Sequence, residues 1–498
     1  MAPLFGVMLT VAFAPYDYGY FAPLTLMFFY GFCVNQSAWR AAFTAYLFGL
    51  GLFGSGLWWV YVSIHDFGGA DPVSSSLLML LLVGLWAVFP ALTAGLFAKV
   101  VSLTSVCSRV MVFGLLWVVV EYFRGYFLLN GFPWLQIAYS QLNTPLAGFV
   151  PLLGVYGVGF LLAVSASTLV EMWRGQWSLS WGTMGLLLLW TAGGLLRDVT
   201  WTHGIGEPIT MTLVQGNIDQ EQKWLPSQKL QTLKLYQQLT EQHWDSDVII
   251  WPETAIPAFL DEVKDLFLKP LAGKARQHGA ELVVSLPTNG EGKDYYNSVM
   301  TLGDVEAFYH KNHLLPFGEY LPLQPLSGWV LDRLQIPLGD FAAGHDRQPL
   351  LKAGGYPFVT TICYEDAFGE LVNRQVEQAA YLVNVTNDAW FGNTSEPHQH
   401  MQMAQMRALE TGRYMVRVTN TGLTGFVSPD GRIVKQAPLY TATTLTDKVI
   451  PMGGLTPYAR WGDRAVFACL LMLAAVAQSL DWLTNRRLRF VRLRAPSV

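Results

Sequence analysis

Three polar residues with catalytic potential each end or follow an apolar, strand-like stretch of the sequence: Glu253, Lys311 and Cys363. Strand ends are where α/β folds collect reacting groups. A thiol needs a base, which a carboxylate in a partly apolar pocket can supply. A nearby ammonium favours the thiolate and can stabilise a tetrahedral oxyanion. The three residues therefore predict nucleophilic catalysis by Cys363, while each alone also fits a surface charge or a core residue.

Cys363 differs from the other cysteines in its surroundings. Cys33 and Cys469 lie in strongly apolar stretches, and Cys107 lies in a short loop between two more. Cys363 is the only one in the polar part of the chain, so it cannot form a structural disulfide within its own domain. A buried structural cysteine, packed as a small hydrophobe, is the alternative interpretation.

Charge is distributed very unevenly along the 498 residues, a length that allows two or three domains. Apolar residues make up 52% of the chain, and residues 1–203 hold only twelve of its Asp, Glu, Lys and Arg residues. A membrane region is therefore expected before an ordinary globular domain. The net charge of −4 argues against nucleic acid as a partner. Neither cofactor nor metal is expected, because His398 and His400 alone are too short a signal for a metal site.

The apolar stretches predict a polytopic α-helical membrane domain with eight transmembrane helices. They fall at about 2–14, 19–38, 41–63, 75–98, 110–128, 147–170, 180–196 and 465–483. The expected domains are a seven-helix transmembrane domain (1–203), a catalytic domain (204–462), an eighth helix (463–484) and a basic tail (485–498).

Basic residues predict the orientation of these helices. Lys and Arg occur in the loops after helices two, four and six and in the tail after helix eight, with Arg197 as a lone exception. The loops after helices one and three hold none. Both termini are therefore expected in the cytoplasm, with the globular domain on the outer side of the inner membrane.

Two polar residues interrupt the apolar region near its middle. Glu121 and Arg124 are three residues apart on one helix face, and the apolar loop 131–136 that follows is broken by Gly and Pro. Such a loop can be re-entrant if it backs onto protein. The residues are interpreted either as structural or as part of a lateral opening for a lipid.

From about residue 209 the pattern changes to alternating strands and helices. Continuous apolar strands at 248–251 and 357–363, together with hairpin signals, predict an α/β sandwich with mixed sheets. The apolar segment 325–341 is expected either to form an arm that rests on the bilayer or to pack on the core.

Several blocks in series resemble the nitrilase, or carbon–nitrogen hydrolase, superfamily, and within it the membrane-bound apolipoprotein N-acyltransferase family. They are VQGNI at 214–218, WPETAIP at 251–257, KNHLLPFGEY at 311–320, ICYE at 362–365 and TNDAWF at 386–391. In the membrane part, 55–63 and 131–136 also match, as does 453–460 before the last helix. The resemblance covers nearly the whole chain, and it implies an αββα sandwich for the globular domain.

The resemblance also implies the reaction and its residues. Glu253, Lys311 and Cys363 would be catalytic, and Glu319, Tyr364, Glu365 and Trp224 would support the site or bind substrate. The acyl donor would be a membrane phospholipid, chiefly phosphatidylethanolamine. The acceptor would be the α-amine of the diacylglyceryl-modified N-terminal cysteine of an apolipoprotein, acylated through a Cys363 thioester in the last step of bacterial lipoprotein maturation.

Two other functions remain as alternatives. A membrane-tethered amidase or nitrilase-type hydrolase would use the same three residues with water as the acyl acceptor. A transporter or sensor with a binding ectodomain would instead have charged or broken helices across the bundle centre. Seven helices before the catalytic domain exceed what tethering needs and suit a donor that lives in the bilayer.

Overall fold

The computed structural model describes residues 1–101, 105–290, 294–302, 306–322 and 341–494, with backbone only from residue 480. The chain divides into two compact units. The helical unit comprises Met1–Leu57, Leu80–Val199 and the chain from Trp461 onwards. The α/β unit comprises Thr200–Arg460 together with Trp58–Met79, a segment from the predicted membrane domain.

The first nine helices precede the sheets. They are α1 (Ala2–Thr10), α2 (Phe21–Val34), α3 (Ala38–Gly56), α4 (Trp59–Val62), α5 (Pro72–Trp86), α6 (Val88–Val100), α7 (Val106–Tyr126), α8 (Val150–Trp173) and α9 (Leu179–Leu196). The remaining described helices are α10 (Pro226–Glu241), α11 (Leu260–Val263), α12 (Lys269–His278), α13 (Gly369–Asn373), α14 (Glu396–Thr411) and α15 (Pro457–Arg494).

Five helical segments of the described chain are long and apolar enough to cross a membrane. They are Pro72–Val100, Val106–Tyr126, Pro145–Trp173, Leu179–Leu196 and Pro457–Ser479. A sixth results if Ala38–Gly56 and Trp59–Phe67 count as one span. The polytopic helical architecture is confirmed, whereas the count of eight stays a prediction, because α1 has nine residues and α2 fourteen.

Glu121 and Arg124 hold the segment between α7 and α8, which contains only short 3-10 helices. The Ile137 N–H donates to Glu121 Oε1 over 3.0 Å, and Arg124 Nη1 donates to the Trp134 carbonyl over 2.5 Å. Both side chains are buried, as is Gln136 within the predicted re-entrant loop. Backbone groups at this depth need protein partners because lipid offers none. These contacts support the structural interpretation of the two residues.

The α/β unit contains two mixed sheets. Their strands are β1 (His203–Gly204), β2 (Ile209–Gln215), β3 (Val248–Ile250), β4 (Glu281–Asn289), β5 (Tyr295–Leu302), β6 (Ala307–His310), β7 (Leu351–Ala353), β8 (Tyr356–Ile362), β9 (Tyr381–Thr386), β10 (Met415–Thr419), β11 (Gly425–Val427), β12 (Ile433–Gln436), β13 (Thr443–Val449) and β14 (Met452–Gly453). The orders are β13-β2-β3-β4-β5-β6 and β12-β11-β10-β9-β8-β7, and β1 pairs with β14. Strands β2-β3-β4 and β8-β9-β10 are parallel, and the other pairs are antiparallel.

Successive side chains along each strand face opposite sides of the sheet, which allows the two sheets to pack on each other and on an outer layer of helices. In β3, Val248 and Ile250 pack in the core between the two sheets, together with Ile362 of the second sheet. Ile249, with the opposite orientation, packs in the core beneath α10 and α12. A third core lies between the second sheet and α14, which contributes Ala404. The predicted αββα sandwich is confirmed. The arm predicted at 325–341 lies, apart from Phe341, outside the described residues.

We expect Glu121→Ala to destabilise the helical unit, because the buried Ile137 N–H loses its acceptor. An unsatisfied buried donor costs about 1–3 kcal/mol. Thermal unfolding of the purified protein in detergent measures the effect, with Glu207→Ala, at an exposed position, as the control. Equal unfolding midpoints for the two variants would contradict the structural assignment of Glu121.

Candidate active site

The two sheets bring the three predicted catalytic residues together. Glu253 lies three residues beyond β3, Lys311 directly follows β6, and Cys363 directly follows β8. Lys311 Nζ is 3.9 Å from Glu253 Oε1. Glu365 accepts the N–H groups of Ile362 and Asn312, the neighbours of Cys363 and Lys311, so all three residues lie in one site.

Lys311 is held by two carboxylates in a buried position. Its Nζ donates to Glu319 Oε1 over 2.8 Å, and the second Glu319 oxygen accepts from the Leu315 N–H, also over 2.8 Å. On the other side, Asn297 Nδ2 donates to Glu253 Oε1 over 2.6 Å. The structure thus places Glu319 beside Lys311.

Burial and charge set the protonation states of this group. Burial alone lowers the pKa of Lys311, but Glu319 and Glu253 outweigh it and hold the pKa above its ordinary value. Burial raises the pKa of Glu253, and Lys311 opposes that shift. Burial likewise raises the pKa of Cys363 to about 12. The resting nucleophile is therefore a thiol, which must lose its proton to a base as it attacks.

The chain turns sharply at Cys363. The residue has a φ of 51°, in the left-handed region that non-glycine residues seldom adopt. It begins a short 3-10 helix, Cys363–Ala367, which we name the cysteine turn. Backbone strain of this kind persists only where the surroundings over-determine it.

Glu365 connects the cysteine turn to the segment that carries Lys311. Its carboxylate accepts the N–H groups of Ile362 (2.8 Å), Asn312 (2.7 Å) and His313 (3.0 Å), as well as the Tyr309 hydroxyl (3.0 Å). Burial raises the pKa of Glu365 to about 7, against the effect of these donors. The side chain is fully buried, so it positions Lys311 relative to Cys363 from within the protein.

The other two predicted residues occupy different environments. Tyr364 is buried, and its ring packs against Phe368 at 5.0 Å between centroids. Trp224 is 50% exposed in the segment before α10. Tyr364 therefore supports the cysteine turn, whereas Trp224 presents an apolar surface to the solvent side of the unit.

Sequence reasoning missed several polar residues of the site. Asn297 contacts Glu253, and the buried Lys223 donates to the Glu253 carbonyl over 3.3 Å. Burial lowers the pKa of Lys223 to about 8. Asn384 and Arg417 lie inside otherwise apolar strands, a pattern that could have revealed them because buried polar groups need partners.

Among the residues that the structure describes, Asp388, Glu396 and His400 form the group whose spacing would allow a metal ion. Their ligand atoms lie within 4.8 Å of one another, and all three side chains are buried. Arg417 Nη2 is 3.0 Å from Asp388 Oδ2, so a protein cation already pairs with this carboxylate.

Comparisons with known families divide the chain as the fold does. The family described as apolipoprotein N-acyltransferase N-terminal domain matches residues 5–168, and the carbon-nitrogen hydrolase family matches residues 210–458. An apolipoprotein N-acyltransferase from Methylococcus capsulatus is 49% identical over 463 residues, covering 92% of this chain and 91% of that protein. One from Nitrosomonas europaea is 42% identical over 488 residues, covering 97% of each.

Among solved structures, an amidase of the nitrilase superfamily from Nesterenkonia superposes with a TM-score of 0.38 and 19% identity. The alignment covers 51% of this chain and 94% of the amidase. The family assignment rests on the sequence matches alone.

We expect alkylation of Cys363 by iodoacetamide to rise about tenfold per pH unit between pH 7 and 9, without a plateau, because the thiolate is the reactive form. Lys311→Met should slow the reaction at each pH, since Lys311 lowers the pKa of the thiol. Lys352→Met, at an exposed position, is the control. Modification is quantified by mass spectrometry of the Cys363 peptide, and thermal unfolding verifies the fold of each variant. A plateau below pH 8 would show that the thiol is not protonated at rest.

Proposed function

The chain belongs to the apolipoprotein N-acyltransferase family, and we propose that it acylates the N-terminal amine of diacylated apolipoproteins through a thioester on Cys363. The arrangement of Glu253, Lys311 and Cys363 at the ends of β3, β6 and β8 carries this proposal. In it, Glu253 is the general base, Lys311 stabilises the oxyanion, and Cys363 is the nucleophile.

The first half-reaction forms the acyl-enzyme. Glu253 accepts the thiol proton as Cys363 Sγ attacks the carbonyl carbon of a phospholipid ester. The carbonyl oxygen becomes an oxyanion, and the Lys311 ammonium stabilises it. The C–O ester bond then breaks, and the departing alkoxide takes the proton from Glu253. The products are a thioester and a lysophospholipid.

The second half-reaction transfers the acyl chain to nitrogen. The α-amine of the acceptor cysteine attacks the thioester carbonyl and forms a second oxyanion beside Lys311. Glu253 accepts a proton from the attacking nitrogen and returns it to Cys363 Sγ as the C–S bond breaks. Thioesters react readily with amines, and the amide product is stable, so this step runs downhill.

The raised pKa of Glu253 suits this double use. Its carboxyl must ionise to accept a proton and must also return it within one catalytic cycle, which favours a pKa nearer the working pH. Glu319 keeps Lys311 cationic throughout, because its carboxylate lies 2.8 Å from the ammonium.

The donor and acceptor follow from the family and from the membrane helices. A phospholipid, which we propose to be phosphatidylethanolamine, reaches the enzyme within the bilayer. The acceptor is an apolipoprotein carrying a diacylglyceryl-modified cysteine at its N-terminus. The half-exposed Trp224 is suited to contact acyl chains, since an indole ring offers a large apolar surface.

We further propose that the protein lies in the inner membrane with the catalytic domain on the periplasmic side. The concentration of Lys and Arg in alternate loops and after residue 485 supports this orientation. The domain limits 1–203, 204–462, 463–484 and 485–498 belong to the same proposal.

We expect incubation with phospholipid alone to produce a stable acyl group on Cys363. Intact-protein mass spectrometry detects the adduct, and a diacylated cysteinyl peptide should release it as an N-acylated product. Cys363→Ala should form no adduct. Cys469→Ala, which removes an exposed cysteine of α15, should form the adduct as the unmodified chain does. Rapid release of free fatty acid without any amine would instead support the hydrolase alternative.

Alkaline phosphatase, which is active only after export, tests the orientation. We expect a fusion after Pro451 to be active and fusions after Arg174 and Val498 to be inactive. An active fusion after Val498 would reverse the proposed location of the C-terminus.

A further inference from the structure

A second group of buried charges lies beside the cysteine turn. Its members share nearly complete burial, each being at most 2% exposed, and we name them the charge cluster: Asp366, Asp388, Glu396, His400 and Arg417. Asp366 belongs to the cysteine turn, Asp388 follows β9, Glu396 and His400 lie on α14, and Arg417 lies on β10.

Carboxylates face both ring nitrogens of His400. Nε2 lies 2.8 Å from Asp366 Oδ1, and Nδ1 lies 3.2 Å from Asp388 Oδ1 and 3.4 Å from Glu396 Oε1. An ionised carboxylate only accepts hydrogen bonds, and a neutral imidazole has one donor nitrogen and one acceptor nitrogen. A ring with carboxylates on both sides is therefore best satisfied as an imidazolium.

The charge balance leads to the same protonation state. Arg417 pairs with Asp366 at 3.2 Å and with Asp388 at 3.0 Å, so one guanidinium serves two carboxylates. With an imidazolium at His400, the two positive charges of His400 and Arg417 cancel the two negative charges of Asp366 and Asp388. A neutral ring would leave one uncompensated negative charge buried in the protein.

The pKa shifts of His400 and Glu396 agree with this charge balance. Burial and Arg417 both lower the pKa of His400, but Asp366 and Asp388 outweigh them and hold it well above its ordinary value. Burial and the neighbouring Asp388 together raise the pKa of Glu396 to about 7, against the effect of His400. Below neutrality Glu396 is therefore uncharged, and the charge cluster sums to zero.

The charge cluster is connected to Cys363 by hydrogen bonds and also affects it electrostatically. Arg417 Nη1 donates to Asn384 Oδ1 over 2.5 Å, and Asn384 Nδ2 donates to the Cys363 carbonyl over 3.1 Å. This carbonyl belongs to the residue in the left-handed conformation. Burial and Glu253 raise the pKa of the thiol most, and Asp388 raises it further. Lys311 and His400 lower it.

The geometry points to His400 as a positioning residue: its imidazolium, shared by Asp366 and Asp388, holds the cysteine turn and adds a positive charge that favours the Cys363 thiolate. The expected effect on acyl transfer rests on the function proposed above. The expected protonation of His400 and reactivity of Cys363 do not depend on that function. The role of His400 and the proposed function can therefore fail separately.

The test compares His400→Gln with His398→Gln, a histidine two residues away on the same helix that is only partly buried. Glutamine keeps a donor but cannot carry the charge. For H400Q we expect iodoacetamide to alkylate Cys363 roughly three- to tenfold more slowly at pH 8, through a shift of up to about one unit in the thiol pKa. The rate of acyl-enzyme formation should fall by a similar factor with little change in KM. H398Q should match the unmodified chain in both assays.

A second variant covers the case in which H400Q does not fold. H400Q/D388N removes one carboxylate together with the cation, which restores the balance of charge while the imidazolium stays absent. We expect this double variant to fold and to be alkylated more slowly than D388N alone, because Asp388 itself raises the pKa of the thiol. NMR of the unmodified chain labelled with 15N-histidine should show both His400 nitrogens protonated from pH 6 to 9.

Three results would overturn the proposal. One is a His400 ring that titrates with an ordinary pKa near 6.5. Another is an H400Q variant that folds and alkylates at the unmodified rate, or a double variant that alkylates as fast as D388N. The third is zinc bound at one mole per chain and lost in H400Q, because a ring nitrogen on a metal carries no proton. If alkylation shifts as expected while no acyl transfer occurs with any variant, the proposed function fails and the role of His400 stands.

Discussion

Two consecutive buried carboxylates, Glu365 and Asp366, constrain the whole site. They follow a cysteine whose backbone lies in a conformation that an isolated chain avoids. Glu365 binds donors from the segment that carries Lys311, and Asp366 binds His400 and Arg417. Because neither carboxylate can be buried without these partners, forming the turn and assembling the site are one event.

This constraint explains why the reacting groups could be predicted from the sequence while their support could not. Glu253, Lys311 and Cys363 follow apolar strands, and a strand end is visible as an abrupt change from apolar to polar residues. Their partners Asn297 and His400 lie on other elements, and only the pairing of strands and the packing of helices bring them close. Nothing in the local sequence reports the contact between Asp366 and His400.

The strands and helices likewise divide into those that could be predicted from the sequence and those that could not. The layered α/β sandwich was predictable because β3 is a continuous apolar run and β9 is mostly apolar apart from Asn384, a pattern typical of central parallel strands. The short edge strand β7 and the largely polar β13 were missed, because their positions depend on pairing with a neighbour. In the helical unit, hydropathy located the apolar stretches but not their ends. Helix α1 ends at Thr10, before the apolar residues do, and α2 ends at Val34, short of the predicted limit at residue 38.

The contribution of Trp58–Met79 to the α/β unit has a consequence for the order of biogenesis. Within that unit the Trp59 indole donates to Gln399 over 3.2 Å and packs on Phe391, so α14 and the segment after β9 depend on residues made more than 300 positions earlier. A contiguous fragment from Thr200 to Arg460 would lack them and expose the apolar faces that they cover. The α/β unit is therefore not one contiguous stretch of the chain, and excision at Thr200 would remove part of it. The ribosome must synthesise α14 before Trp58–Met79 can complete its contacts.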